Sequence, residues 1–152
     1  MINFRTDLAL ERNEVYKEKN KLNEIDGVSV NNETINDVEI SRIKILNEEG
    51  EKILQKPAGT YITLDVKKLK LADEERLSKI AETVADELRK IVGEHVNETE
   101  DILVVGLGNL YVTPDALGPK VVPEIEVTRH ILEYMPSIMP EDTRPVSAIS
   151  PG

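Results

Sequence analysis

Asp101-Ile-Leu-Val-Val-Gly-Leu-Gly-Asn-Leu-Tyr-Val-Thr-Pro-Asp-Ala-Leu-Gly-Pro119 opens like a strand and continues like the start of a helix. Ile102, Leu103, Val104 and Val105 form a short continuous apolar run, and Gly106, Gly108 and Asn109 follow it. A run this short, rich in branched residues and stopped by glycine, predicts a strand. Its lack of polar alternation predicts burial on both faces, the habit of parallel strands in α/β proteins. The loop after such a strand is where open α/β sheets hold their ligands. Within that loop Thr113-Pro114-Asp115 predicts a helix start, with a capping hydroxyl, a proline at the first helical position and an acid in the first turn. Asp115 is therefore the first candidate for chemistry. A plainer reading stands beside it, because an acid in a first turn commonly answers the helix dipole and nothing more. The Gly-Leu-Gly does not extend to a dinucleotide fingerprint. The third glycine would fall at position 111, which is Tyr111, and Glu126 and Glu133 bracket the ribose-binding distance without a strand around them.

Composition bounds the rest. At 152 residues the chain can bury one sizeable core. A net charge of -10 argues against a nucleic-acid surface, although an acidic protein can still act on basic nucleic-acid-binding proteins. With no cysteine there is no disulfide, no thiolate nucleophile and no cysteine metal cage, which fits a cytosolic origin. His95 and His130 lie far apart in sequence, which argues against a His-rich metal site, and no metal or other cofactor is expected. No apolar stretch reaches membrane-spanning length and the first residues lack a signal-peptide pattern, so no membrane partner is expected. Aromatic residues are scarce, which leaves Leu, Ile and Val to fill the core.

Upstream, residues 12–36 are dominated by Glu, Lys and Asn, and the thin apolar stripe around residues 10–22 favours a solvated segment over a helix. From Asp37 the pattern changes. Val38, Ile40, Ile43 and Ile45 alternate with polar residues except at Ser41-Arg42, Asn47-Glu48-Glu49-Gly50 reads as a turn, and Tyr61, Ile62, Leu64 and Val66 resume after Pro57-Ala58-Gly59. Two or three antiparallel strands are predicted around 37–66. Residues 73–92 predict the clearest helix, with Leu77, Ile80, Val84, Leu88 and Ile91 as its core stripe and Gly93 as its end. Downstream of the central loop, Gly118-Pro119 predicts a helix running through Val121, Val122, Ile125 and Thr128, with Pro123 tolerated early in it. Thr128-Arg129-His130 is a polar triplet whose arginine more often pairs with a surface acid than faces a cleft. Residues 135–144 predict a Pro-rich loop and 145–149 a short strand.

Several of these stretches together resemble the germination protease family, endopeptidases of spore-forming bacteria that digest small acid-soluble spore proteins. The matching pieces are Arg5-Thr6-Asp7-Leu8-Ala9 with Glu11, residues 57–64 around Gly59-Thr60-Tyr61, residues 103–119, Thr128-Arg129-His130, and Arg144-Pro145-Val146-Ser147-Ala148-Ile149 followed by Pro151-Gly152. They occur in family order and span nearly the whole chain. Leu110 departs from the family, which often has Trp there. The central loop is also similar to hydrogenase maturation endopeptidases, which share Gly108-Asn109, Asp115 and Gly118; in those proteins the acid at the position of Asp115 helps bind nickel.

The resemblance implies a three-layer α/β/α fold with a mostly parallel or mixed sheet, of the phosphorylase/hydrolase-like kind, beside the antiparallel region around 37–66. It implies an unusual aspartic endopeptidase in which Asp115 is the first catalytic acid. The second is expected beyond Gly152, so residues 8–152 read as the N-terminal part of a single α/β protease domain and the chain alone as inactive. Residues 1–7 read as a pro-segment. Thr6-Asp7-Leu8-Ala9-Leu10-Glu11 is similar to the substrates' Thr-Glu-Phe/Ile-Ala-Ser-Glu pattern, which is cut after Glu, so self-processing is expected between Asp7 and Leu8. The implied partners are spore proteins as substrates and further copies in a homo-oligomer, a tetramer by family resemblance. The implied location is the cytoplasm of the forespore and spore core. A metal-dependent maturation peptidase using Asp115 as a ligand, and a noncatalytic binding or assembly module, are the alternatives.

Overall fold

Asn36 and Asp37 both adopt the left-handed conformation, with φ of 50° and 61°, and at that pair the chain reverses into a hairpin. Two consecutive left-handed residues match the twist of the strands they join. The flanking strands are β1, Val28–Ile35, and β2, Val38–Ile45, and β2 pairs on its other side with β3, Gly59–Val66. Both pairings are antiparallel, in the order β1-β2-β3. The computed structural model describes residues 9–20, 24–97 and 100–151. These form two compact units divided between Ile91 and Val92, so Asp7 and Leu8, and the segment before them, lie outside the described residues.

In the first unit the break in alternation at Ser41-Arg42 has a structural cause. Val38 and Ile40 point to one face of the sheet, while Ile43 and Ile45 point to the other. The first pair packs with Ile80 and, around them, Ile35, Ile62, Leu64, Val66 and Val84. The second pair packs with Ala9, Ile25 and Leu54, and with Leu10, Tyr16, Val28, Val30, Ile53 and Tyr61. The core therefore changes sides of β2 midway along the strand, and Arg42, which shares a face with Ile40, is left on the side of the long helix.

Helix α1, Ala9–Asn20, forms where a solvated segment was favoured. Its buried Ala9 and partly buried Leu10 and Tyr16 join the second core, and the Arg12 guanidinium donates to the Leu54 carbonyl at 2.9 Å. Strand β1 also went unpredicted. The turn read at residues 47–50 is instead the first turn of α2, Glu48–Leu54. Asn47 caps it, accepting from the Gly50 N–H at 2.9 Å, and Gln55 closes it in the left-handed conformation. Helix α3 spans Glu74–His95, starting where Asp73 accepts from the Arg76 and Leu77 amides and running past Gly93, which was expected to end it. Its buried face is Ile80, Thr83 and Glu87, whereas Leu77 and Leu88 of the predicted stripe are exposed. Polar contacts turn the helix this way. Asn36 donates to the Thr83 hydroxyl at 3.0 Å, and Arg42 grips the Glu87 carboxylate at 2.6 and 2.7 Å.

The second unit is built on β4, Ile102–Val105, and β5, Val146–Ile149, which pair in parallel with Ile102 beside Val146 and Val105 beside Ile149. The strands run as the sequence predicts. The connection carries a 3-10 turn at Thr113–Asp115, α4, Leu117–Val121, a 3-10 turn at Val122–Glu124, α5, Arg129–Tyr134, and a further 3-10 turn at Pro136–Ile138. The helix predicted from 118 to 128 is thus two short pieces. Pro123 sits in the 3-10 turn, and Ile125 is extended, which ends the run. Among the described residues the fold is mixed α/β with two separate sheets, and the parallel one has only two strands. Burial of β4 on both faces does not occur here, because Leu103 and Val105 are exposed.

Candidate active site

Asp115 ends a 3-10 turn, Thr113–Asp115, that follows the loop after β4. The residue before the turn is Val112, and no side chain caps it, so Thr113 lies inside the turn rather than capping it as predicted. The loop is locked by its own backbone. The Asn109 amide donates to the Asp115 carbonyl at 3.0 Å, the Val112 amide to the Asn109 carbonyl at 3.1 Å, and the Asp115 amide to the Val112 carbonyl at 2.8 Å. The Asn109 side chain accepts from the Tyr111 amide at 2.9 Å, a side-chain turn that explains why Asn serves here.

The glycines make this lock possible. Gly108 has φ of +136°, and a Cβ placed there would stand 2.0 Å from the Asp115 carbonyl oxygen. A Cβ on Gly106 would lie 2.4 Å from the Gly118 carbonyl oxygen, and one on Gly118 would lie 2.2 Å from that of Leu107. The two glycine-bearing segments therefore pack backbone against backbone. Gly-Leu-Gly is here a packing device that presses the end of β4 onto α4, in keeping with the rejection of a nucleotide fingerprint.

The Asp115 side chain is exposed and takes no hydrogen bond or ion pair from the described residues. Its neighbours along the chain are apolar and also exposed: Leu107, Leu110, Tyr111, Val112 and Leu117. An exposed carboxylate on a hydrogen-bonded turn can serve as a base or a ligand. It does not by itself supply a second acid.

The other matched motifs converge on the same strand pair. Ser150 donates to the Gly106 carbonyl at 3.2 Å, and the Gly106 amide donates to the Ile149 carbonyl at 2.9 Å, so Ile149 at the end of β5 and Ser150 just after it brace the start of the loop. Thr128 is buried, and its part is structural. Its amide donates to the Val146 carbonyl at 3.1 Å, its hydroxyl donates to the Arg144 carbonyl, and the Val146 amide donates to that hydroxyl at 2.9 Å. Arg129 pairs with Asp101 at 3.2 Å, both side chains being exposed, which is the surface pairing expected of it. His130 is exposed on α5.

Sequence reasoning missed the ionic centre of the first unit. Arg42 binds both oxygens of Glu87 and also reaches Asn31 and Glu33, each at 2.9 Å, while Lys90 reaches Glu87 at 2.8 Å. The hydrogen bonds from Arg42 outweigh the cost of burial and hold the Glu87 carboxyl at about 2, against its ordinary 4.5, with Lys90 adding to the shift. The only local signal was the interrupted alternation at Ser41-Arg42.

Comparison with known proteins gives this geometry a family. The model of the germination protease family matches residues 5–152. The chain is similar to a germination protease of Clostridium acetobutylicum, 46% identical over all of this chain and 46% of that protein. It is similar to one from Caldanaerobacter subterraneus subsp. tengcongensis, 46% identical over all of this chain and 45% of the relative. A third, from Priestia megaterium, is 40% identical over 97% of this chain and 41% of the relative. The chain thus spans about half the length of the curated relatives it matches. No helix among the described residues is long and apolar enough to cross a membrane. With the match running from residue 5 through the β4 loop to the end of β5, the chain belongs to the germination protease family.

Proposed function

We propose that this chain is part of an endopeptidase that degrades small acid-soluble spore proteins during germination, and that Asp115 is one of its two catalytic carboxylates. The observation that carries the reading is the family match over residues 5–152, joined to an exposed Asp115 at the end of a self-locked turn. The second acid then lies in the part of the protein outside these 152 residues. Two carboxylates brought together resist double ionisation and share a proton. One takes a proton from the attacking water while the other gives its proton to the scissile carbonyl; as the intermediate collapses, the first passes the water's proton to the leaving amine and the second takes its own proton back, which restores the pair. Asp115→Asn in the full-length protein keeps the shape and removes the ionisable group. Cleavage of a spore-protein peptide should fall by at least about a thousandfold, with the circular dichroism spectrum unchanged. Substantial residual cleavage would refute the assignment.

The same reading makes the protein a zymogen that removes residues 1–7 by cutting between Asp7 and Leu8, assembles as a homo-tetramer, and works in the cytoplasm of the forespore and spore core. It also places the two units described here within a larger three-layer α/β/α protease domain. N-terminal sequencing after activation checks the processing site: a mature chain beginning at Leu8 supports it, and any other start, or Met1 in an active enzyme, refutes it. A maturation peptidase of the hydrogenase type would instead need nickel at Asp115, and a metal titration of the full-length protein decides between the two.

A further inference from the structure

Ile25-Asp26-Gly27-Val28 turns the chain into β1, with the Val28 amide donating to the Ile25 carbonyl at 3.1 Å. No other residue fits at Gly27. Its φ is +72°, and a Cβ there would stand 1.9 Å from the Asn47 side-chain oxygen. The Gly27 carbonyl accepts from the Leu46 amide at 2.8 Å. Gly50 packs on that same carbonyl, close enough that a Cβ on Gly50 would lie 2.7 Å from its oxygen. The glycine thus fastens the turn to the end of β2 and the first turn of α2. The Asp26 side of the turn is loose. Asp26 is exposed, and its carboxyl takes no hydrogen bond or ion pair from the described residues. The Gly27 amide donates to no acceptor among them.

An unpartnered carboxyl beside an unpartnered amide, with no Cβ on the following residue to block approach, can close on itself. The Gly27 nitrogen attacks Asp26 Cγ. The amide proton and the hydroxyl of the carboxylic acid leave as water, and a five-membered succinimide forms. Water then adds back at one of its two carbonyls. Breaking the bond from nitrogen to Cγ restores aspartate. Breaking the bond from nitrogen to the main-chain carbon leaves isoaspartate, whose main chain runs through Cγ and is one atom longer. Asp26-Gly27 is the only Asp-Gly pair in the chain, and no Asn precedes a glycine. The other aspartates precede residues with side chains, branched ones at Val38, Val66 and Ile102. We propose that Asp26 is a site of spontaneous isoaspartate formation, and that its conversion loosens the tie between β1, β2 and α2. The structure makes the site hard to avoid, because the turn demands the one residue type that leaves its amide open to attack. The longer main chain would draw Gly27 away from Leu46, Asn47 and Gly50. It would also disturb Val28 and Val30, which pack on the core of Ile25, Ile45 and Leu54. The inference is independent of the protease reading.

The test is to age the purified folded chain at neutral pH, beside the same chain held unfolded in urea. Isoaspartyl methyltransferase with labelled S-adenosylmethionine reports the modified residue, and fragmentation of the digested peptides locates it. Asp26→Glu keeps the charge but would have to close a six-membered ring, which forms far more slowly. Label should accumulate with time at position 26 of the folded chain and stay at background in Asp26→Glu. The methylatable fraction should unfold at a lower urea midpoint than the unmodified chain. Background labelling of the folded chain, with label rising only in the unfolded one, would show that the turn protects Asp26 and would overturn the proposal. Label gathering at other aspartates in preference to 26, or undiminished in Asp26→Glu, would overturn it as well. So would modified chains whose urea midpoint is unchanged.

Discussion

Gly108 is the residue on which the Asp115 turn depends. It combines a left-handed φ with a carbonyl oxygen standing where a Cβ would be, so an alanine meets two obstacles at once. Releasing the clash would break the Asn109-to-Asp115 hydrogen bond that closes the loop. Gly108→Ala should therefore destabilise the protein by about 2–4 kcal/mol, read as a lower urea midpoint. In the full-length enzyme it should also depress cleavage, by letting Asp115 shift. A variant as stable as the parent would show that the loop can open on the Asp115 side. Asn109 and Thr128 illustrate a related point: their side chains satisfy backbone groups at 2.9 Å, so these two motif residues brace the backbone around them.

At the scale of elements, β2 and α3 are joined by the most demanding contact in the first unit. Glu87, only 3% exposed, is tolerable as a charge because Arg42 and Lys90 face it. Its carboxyl titrates at about 2 when folded, against 4.5 ordinarily, so the folded state holds this proton less tightly than the unfolded chain does. The resulting stabilisation is complete above about pH 4.5 and is lost as the pH falls through about 2. It amounts to roughly 3 kcal/mol. Urea unfolding at pH 7 and pH 3 should show the first unit losing much of this. Glu87→Gln should start about 3 kcal/mol weaker at pH 7, with a partly buried Arg42 left short of one counter-charge, and should lose less between the two pH values. Parallel losses in both proteins would show that other carboxylates govern the acid limb.

For the whole molecule, exposed apolar surface is the recurring observation. Among the described residues the parallel sheet has two strands, Leu103, Val105 and Ile149 on one of its faces are exposed, and Asp115 lies in a segment whose Leu107, Leu110, Tyr111, Val112 and Leu117 are exposed too. The matched relatives are about twice as long. An aspartic mechanism needs a second carboxyl that could share a proton with Asp115. The isolated 152-residue chain should therefore leave a spore-protein peptide uncut under conditions in which a full-length relative digests it. Cleavage by the purified chain, free of other proteases, would show that a working pair already exists within it.

Much of the second unit could be read directly. The run at residues 102–105 is a strand because its branched residues favour extended backbone and glycine stops it, and the strand at residues 146–149 is its parallel partner. The motif residues of both, in order, also placed the chain in its family. What only the tertiary structure decided is held by partners distant in sequence. β1 has apolar residues only at Val28, Val30 and Ile35, too few to identify it locally, and it is a strand because β2 offers it a complete ladder. The face of α3 that is buried was chosen by Arg42 and Asn36, which lie 45 and 47 residues from their partners Glu87 and Thr83, so helical periodicity alone pointed to the wrong leucines. The bare side of β4 has the same origin. An apolar run states that its side chains should leave water, but which neighbour removes them from it is settled only when the chain closes around the strand.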